Sequence, residues 1–188
     1  MPQIFGQEVA SKRVVFVIDT SQSMRKEDPY EGEEGGGGGS RVRLRRAKAE
    51  LIRAVNALRQ DVRFNIVAYD TGVTPWQEEE LVPATASNKK RAIQFIGSWK
   101  ADGHTNTLEA LLLAMEMEDV DTIILLSDGS PTVPGIGTLS DIPPILDAIK
   151  ELNRFKLITL HTLGFEGAKV SFMRALADQN GGAYAPIK

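Results

Sequence analysis

The sequence predicts an α/β domain built on a doubly wound, mostly parallel sheet with helices on both faces. Three observations carry this reading. Several segments are continuous β-branched or aliphatic runs of strand length, the form taken by strands buried on both faces of a parallel sheet. Segments of helical periodicity alternate with them, as β–α–β crossovers require. Two of the apolar runs end on or beside an aspartate, at Asp19 and Asp128.

Arg13–Asp19 (Arg-Val-Val-Phe-Val-Ile-Asp) reads as the first strand. Residues 25–40 turn polar, then acidic, then glycine-rich, ending in Gly35–Gly39 and Ser40. Such a stretch reads as a flexible loop, and its Gly-Gly-Gly-Gly-Ser unit is shared with engineered linkers. It lacks the Gly-Lys-Ser/Thr of a phosphate-binding loop. From Val42 to Leu58, the residues Leu44, Ala47, Leu51, Val55 and Leu58 recur at helical spacing. The basic run Arg41–Lys48 is therefore read as the solvated face of a helix. Val62–Tyr69 is a second strand, closed by Asp70-Thr71-Gly72. Val73–Val82 reads as one short edge strand, limited by Pro75 and Pro83. Lys89–Trp99 reads as a short helix capped by Ser87 or Asn88.

Thr105–Met117 is a further helix, opened by Asn106 with Glu109 three positions on, in the pattern of a capping box. Asp121–Ser127 is a buried strand that runs into Asp128. Asp141–Leu152 is a helix with prolines in its first turn, where they are tolerated. Lys156–Leu163 is a strand, and Val170–Gln179 a helix stopped by Asn180-Gly181-Gly182. Ala183–Ile187 is the closing strand. No internal repeat is visible.

The length of 188 residues fits a single domain spanning 1–188. With 42% hydrophobic and 25% charged residues, the chain can bury a core and does not read as disordered. A net charge of −3 argues against nucleic acid as a partner. The chain has no cysteine, which excludes disulfides, thiol chemistry and cysteine-bound metals. Apolar stretches such as Ile123–Leu126 are far too short to span a bilayer, so no membrane insertion is expected of this segment. The opening Met1-Pro2-Gln3-Ile4-Phe5 does not read as a signal peptide, and the compartment stays open. A monomeric domain is expected.

In doubly wound sheets, ligands sit beyond the carboxyl ends of the strands where strand order reverses. If the strands ending at Asp19 and Asp128 are neighbours there, two carboxylates converge in one crevice. Two adjacent anions are unfavourable unless a positive charge offsets them. Asp19-Thr20-Ser21-Gln22-Ser23 can point oxygens from alternate residues in one direction, and Thr105 adds a hydroxyl ahead of a helix. Three hydroxyls and two carboxylates form a hard oxygen donor set. Such a set suits a divalent cation, Mg²⁺ foremost, with Mn²⁺ or Ca²⁺ as alternatives.

Taken together, Asp19-x-Ser21-x-Ser23, then Thr105, then Asp128-Gly129 resembles the metal-ion-dependent adhesion site of von Willebrand factor A (VWA) domains. The resemblance covers essentially the whole chain. Its local text, Val-Phe-Val-Ile-Asp-Thr-Ser-Gln-Ser-Met and Leu-Leu-Ser-Asp-Gly-Ser-Pro-Thr, looks most like bacterial members. It implies a Rossmann-like sheet of six strands ordered 3-2-1-4-5-6, with the short strand 3 antiparallel. It implies that Ser21 and Ser23 ligate the metal directly and that Thr105 does so directly or through water. Asp19 and Asp128 would act largely through water and by charge. A protein partner's Asp or Glu would complete the shell, in adhesion or complex assembly. One departure stands out: about sixteen residues separate the Ser-x-Ser-Met loop from the first helix, where family members often run on quickly.

Two other functions compete. A phosphoryl-transfer enzyme could use Asp19 as nucleophile, but such enzymes usually carry a second Asp two residues on, where Ser21 stands. A structural scaffold could hold a metal incidentally. No Ser-His-Asp triad can be assembled, so no catalysis is expected. His104 reads as a solvated loop residue, His161 as a satisfied structural histidine, and Trp76 and Trp99 as packing residues. Glu78–Glu80 reads as surface.

Overall fold

The structure, a computed structural model, describes residues 3–27, 42–133 and 141–187. The glycine run Gly35–Gly39, and Arg41 with it, lies outside the described residues. An element that the periodicity does not announce comes first. β1 (Gln3–Ile4) and β2 (Gln7–Glu8) pair antiparallel around Phe5 and Gly6, at φ 47° and 80°. Two successive residues at positive φ are what a tight hairpin of right-twisted strands requires. A two-residue strand is too short for its alternation to stand out in the sequence.

The elements that follow are β3 (Arg13–Asp19), a turn of 3₁₀ helix (Gln22–Arg25), α1 (Arg43–Ala57), β4 (Arg63–Tyr69), β5 (Val73–Pro75), β6 (Val82–Pro83), α2 (Ala86–Ser98) and α3 (Thr107–Glu116). Then come β7 (Thr122–Ser127), α4 (Ile142–Lys156), β8 (Thr159–Gly164), α5 (Val170–Gln179) and β9 (Tyr184–Pro186). The main sheet runs β5-β4-β3-β7-β8-β9, with β6 also on β4. Numbered from β3, its path is 3-2-1-4-5-6. β5 and β6 are antiparallel to β4, and the other pairs are parallel.

Alternate residues of the central strands feed two hydrophobic layers, as a period of two dictates. Val14, Phe16, Ile18, Phe64, Ile66, Ile124 and Leu126 face α1 and α2 through Leu44, Ala47, Leu51, Ala92 and Ile96. Val15, Val17, Val67, Ile123, Leu125 and Leu160 face α3, α4 and α5 through Ala110, Leu111, Ile145, Ile149, Phe172 and Met173. Each fully buried aliphatic side chain contributes about 1.5–3 kcal/mol. The strand Arg13–Asp19 and the helix Val170–Gln179, both rich in such side chains, match their predicted boundaries.

Three boundaries and one cap depart most from the sequence reading. The predicted strand Val73–Val82 is two strands, because buried Asn65 on β4 takes over the edge between them. Its amide donates to Gln77 O and Glu80 O at 2.9 Å each and accepts from Gln77 N at 3.1 Å. α2 begins earlier than predicted, capped by Thr85 rather than Ser87 or Asn88, with Thr85 Oγ1 accepting from Asn88 N at 3.2 Å. α4 runs past Leu152 to Lys156, and Lys156 is therefore not in a strand. No glycine marks this stop: Leu157 takes the left-handed conformation at φ 57°. Buried Asn153 clasps the turn, exchanging hydrogen bonds with Ile158 N and O at 2.8 Å. The capping box at Asn106 does not form. Its amide instead donates to Glu109 Oε2 at 2.6 Å, and no side-chain oxygen caps α3.

Candidate metal centre

Strand order reverses between β3 and β7, which pair from Val14↔Thr122 to Ile18↔Leu126. Asp19 ends β3 and Asp128 directly follows β7, so the two carboxylates meet where a doubly wound sheet opens its cleft. Asp19 is wholly buried. Its Oδ1 accepts from Ser21 N at 2.8 Å and its Oδ2 from Ser127 Oγ at 2.5 Å. Asp128 is buried as well, with Oδ1 accepting from Ser23 Oγ at 2.5 Å and Oδ2 from Arg43 Nη1 at 2.7 Å. Ser21 Oγ and Ser23 Oγ stand 3.1 Å apart.

Thr105 joins this group across Gly129. A Cβ built on Gly129 would lie 3.6 Å from Ser23 Oγ and 3.6 Å from Thr105 Oγ1. Gly129 thus faces the gap between the two hydroxyls, where a methyl group would touch both at ordinary van der Waals distance. Hydrogen bonds and close contacts link Asp19, Ser21, Ser23 and Asp128, and Thr105 lies on the other side of Gly129 from Ser23, so the structure brings together all five residues singled out in the sequence.

Local backbone bonds hold the loops in place. Gln22 N donates to Gly103 O at 3.1 Å and Asp102 N to Thr20 O at 3.0 Å, which ties the Asp19–Ser23 loop to the turn before Thr105. Met24 is buried beneath the 3₁₀ turn and anchors it. Gly103 sits at φ 66°, and a Cβ there would overlap Thr71 Oγ1. Only glycine meets both conditions. Thr71 Oγ1 accepts from His104 N at 3.0 Å, and Asp70 O accepts from Asn106 N at 2.9 Å. Thr105 and Thr132 are also stitched together, Thr105 N to Thr132 Oγ1 and Thr132 N to Thr105 O, each at 2.9 Å.

The electrostatics are those of an anion short of positive charge. Burial pushes the Asp19 carboxyl up to about 6, and the neighbouring charge of Asp128 pushes the same way, against the hydrogen bonds from Ser127 and Ser21. A cation in the cleft would relieve both effects. Among the described residues, no three or more His, Cys, Asp or Glu side chains converge as a metal cluster. Any ion held here must therefore rely on hydroxyls and water beside two carboxylates. That hard, weakly charged donor set fits a Mg²⁺-like ion.

Two participants escaped the sequence reading. Arg43, placed there on a solvated helix face, is 6% exposed and holds Asp128. A signal existed: Arg43 lies four residues before Ala47 and eight before Leu51, on the apolar stripe of α1. Ser127 was read only as the end of a strand. The other histidine and tryptophan readings match the structure. His104 is exposed. His161 Nδ1 accepts from Ala183 N at 3.1 Å. Trp76 stacks on Phe64 and Trp99 meets Phe95 edge-on. Two clefts lie elsewhere, and neither is lined by Asp19 or Asp128. One, of about 850 Å³, lies against α4 and Gln179–Gly181, and one, of about 1080 Å³, is ringed by Glu78–Glu80, Glu116 and Glu118.

Comparison with known proteins points one way. Residues 14–130 match the family model of the von Willebrand factor type A domain. The chain is 31% identical over 189 residues to human inter-alpha-trypsin inhibitor heavy chain H4, covering 94% of this chain and 18% of that protein. It is 29% identical over 187 residues to human von Willebrand factor A domain-containing protein 3A, covering 97% of this chain and 14% of that one. It thus spans less than a fifth of either relative. Among solved structures, a von Willebrand factor type A protein from Catenulispora acidiphila superposes with a TM-score of 0.75 at 24% identity, covering 95% of this chain and 39% of that one. Proximal thread matrix protein 1 from the mussel byssus, in a form with zinc in its MIDAS motif, superposes with a TM-score of 0.62 at 18% identity, covering 93% and 41%.

Proposed function

The chain belongs to the von Willebrand factor type A family, and from that premise we propose that it is a non-catalytic binding module working through one divalent cation. Asp19, Ser21, Ser23, Thr105 and Asp128 would hold the ion, Mg²⁺ by preference. When bound, the ion supplies concentrated positive charge to which an Asp or Glu of a protein partner can attach. The observation that carries this reading is the meeting of these five oxygen-bearing groups at the β3/β7 reversal, around the gap that Gly129 faces. The zinc-bearing motif of the mussel protein supports it.

The chain's own residues divide the work. Ser21, Ser23 and Thr105 offer neutral oxygens, which leave a bound cation electrophilic. Asp19 and Asp128 contribute charge while their oxygens stay engaged with Ser21, Ser127, Ser23 and Arg43. The same engagement speaks against Asp19 as a phosphoryl-accepting nucleophile, since it is wholly buried with both oxygens hydrogen-bonded.

Calorimetry with Mg²⁺ and Mn²⁺ tests the reading on the wild type and on Asp128→Ala. Expected is saturable one-site binding to the wild type and a loss of at least about tenfold in affinity for the variant, the effect of removing one of two charges facing the ion. Absence of binding heat in the wild type, or equal affinities, overturns it.

A further inference from the structure

The cleft already contains one cation of the protein's own. Arg43 Nη1 donates to Asp128 Oδ2 at 2.7 Å, and the side chains are 8% and 0% exposed. This is a buried, charge-assisted contact rather than a surface pair. Its backbone is fixed as well: Arg43 N donates to Lys26 O at 3.0 Å, beside the bridge between Glu27 and Val42. The segment that presents Ser21 and Ser23 therefore also docks the start of α1, and with it the guanidinium. Asp19 has no such partner among the described residues: its oxygens accept from a backbone N–H and a hydroxyl.

Resting on the metal-binding reading above, we infer that Arg43 is an internal counter-ion. It holds Asp128 in place without metal and sets a low affinity for the divalent cation. Among the described residues, Asp19, Asp128 and Arg43 together present a formal charge of −1 (−1 − 1 + 1) to an incoming ion, where the two carboxylates alone would present −2. Two consequences follow. The protein keeps a folded, ordered cleft in the absence of metal, because the buried Asp128 is never left unpaired. A bound divalent ion leaves the site with a net positive charge rather than none, which favours an outside carboxylate as the completing ligand.

The test uses Mn²⁺ alone as probe, with the wild type, Arg43→Met and Arg43→Lys. Calorimetry reads the Kd and thermal unfolding in chelator reads the metal-free Tm. Arg43→Met removes the charge and the donor. It should lower the metal-free Tm and tighten Mn²⁺ binding by about tenfold, the scale of one like charge removed from beside a divalent ion in a solvent-screened cleft. Arg43→Lys keeps the charge and should stay within about threefold of the wild type. If Arg43→Met does not fold by circular dichroism, Arg43→Gln takes its place with the same expectation. A folded, charge-deleted variant that binds Mn²⁺ no tighter than the wild type overturns the inference, as does Arg43→Lys binding as tightly as Arg43→Met. A wild type that binds no Mn²⁺ defeats the metal-bridging reading instead. The counter-ion role then stands only if the charge-deleted variant binds where the wild type does not, and falls if neither binds.

Discussion

A carboxylate sealed from water needs a donor or a cation for its charge, and Asp19 and Asp128 meet that need differently. Asp128 has a guanidinium and a hydroxyl, whereas Asp19 has a hydroxyl and an amide only. Burial first, and then the neighbouring charge of Asp128, push the Asp19 carboxyl up to about 6. Beside it in the sheet, paired in register, stands Tyr69. Among the described residues its buried hydroxyl makes no hydrogen bond of good geometry; burial followed by the Asp19 charge holds it well above the usual phenol range, against weaker contacts with Ser127 and Thr107. A hydroxyl that is buried and unmatched costs roughly 1–3 kcal/mol, a cost that Phe does not carry. Tyr69→Phe should therefore leave stability unchanged or raise it by up to about 1 kcal/mol in urea unfolding. A clear loss of stability would mean that the hydroxyl is satisfied in solution. At this scale the candidate site was legible in the sequence through residue type: Asp19, Ser21, Ser23, Thr105 and Asp128 all carry side-chain oxygens, at or just beyond the end of a strand or ahead of a helix. Ser127 was not, since a serine at the end of a buried strand carries no mark of the carboxylate across the ladder.

Elements were legible where periodicity is long and illegible where a single side chain decides. α1 declares itself because Leu44, Ala47, Leu51 and Val55 repeat on one face, and all four are buried. The split of the Val73–Val82 segment and the late stop of α4 depend on Asn65 and Asn153, whose amides replace backbone partners. A buried asparagine looks in sequence like any other. The β8–β9 edge gives a pH prediction. His161 Nδ1 accepts from Ala183 N, which requires that nitrogen to be unprotonated, and burial lowers the histidine's pKa. A depressed folded-state value means that the unfolded chain takes up its proton first as pH falls. The stabilising contribution is whole above the ordinary histidine value of 6.5 and is lost as pH falls through the lower folded value. Denaturant unfolding at pH 7.5 and 5.5 should show a larger acid-side loss for the wild type than for His161→Gln. Identical pH dependence in the two proteins would remove His161 from the account.

For the whole molecule, the site is a product of topology. β3 is central, flanked by β4 and β7, and the reversal beside it brings together loops from three distant parts of the chain. The scaffold is two hydrophobic layers on one sheet, so an ion at the carboxyl edge is not needed to build the core. Metal would instead act by linkage, stabilising the native state that binds it. On the proposed reading, free Mg²⁺ at a hundred times its Kd should raise the unfolding free energy by about 2.7 kcal/mol. Chelator should reverse this, and Ser23→Ala should blunt it. An unfolding midpoint indifferent to Mg²⁺ at saturating concentration would count against a native-state site.

Sequence alone determined the alternation of strands and helices, the apolar faces and the five oxygen-bearing residues, because these depend on local periodicity and on side-chain chemistry. Only the tertiary structure decided that β3 and β7 are neighbours, that Arg43 turns inward to Asp128, and that Ser127 donates to Asp19. Those contacts join residues 85 and 108 positions apart. Such pairs form because strand order and packing carry them together, and no local pattern in the chain records which charge will find which.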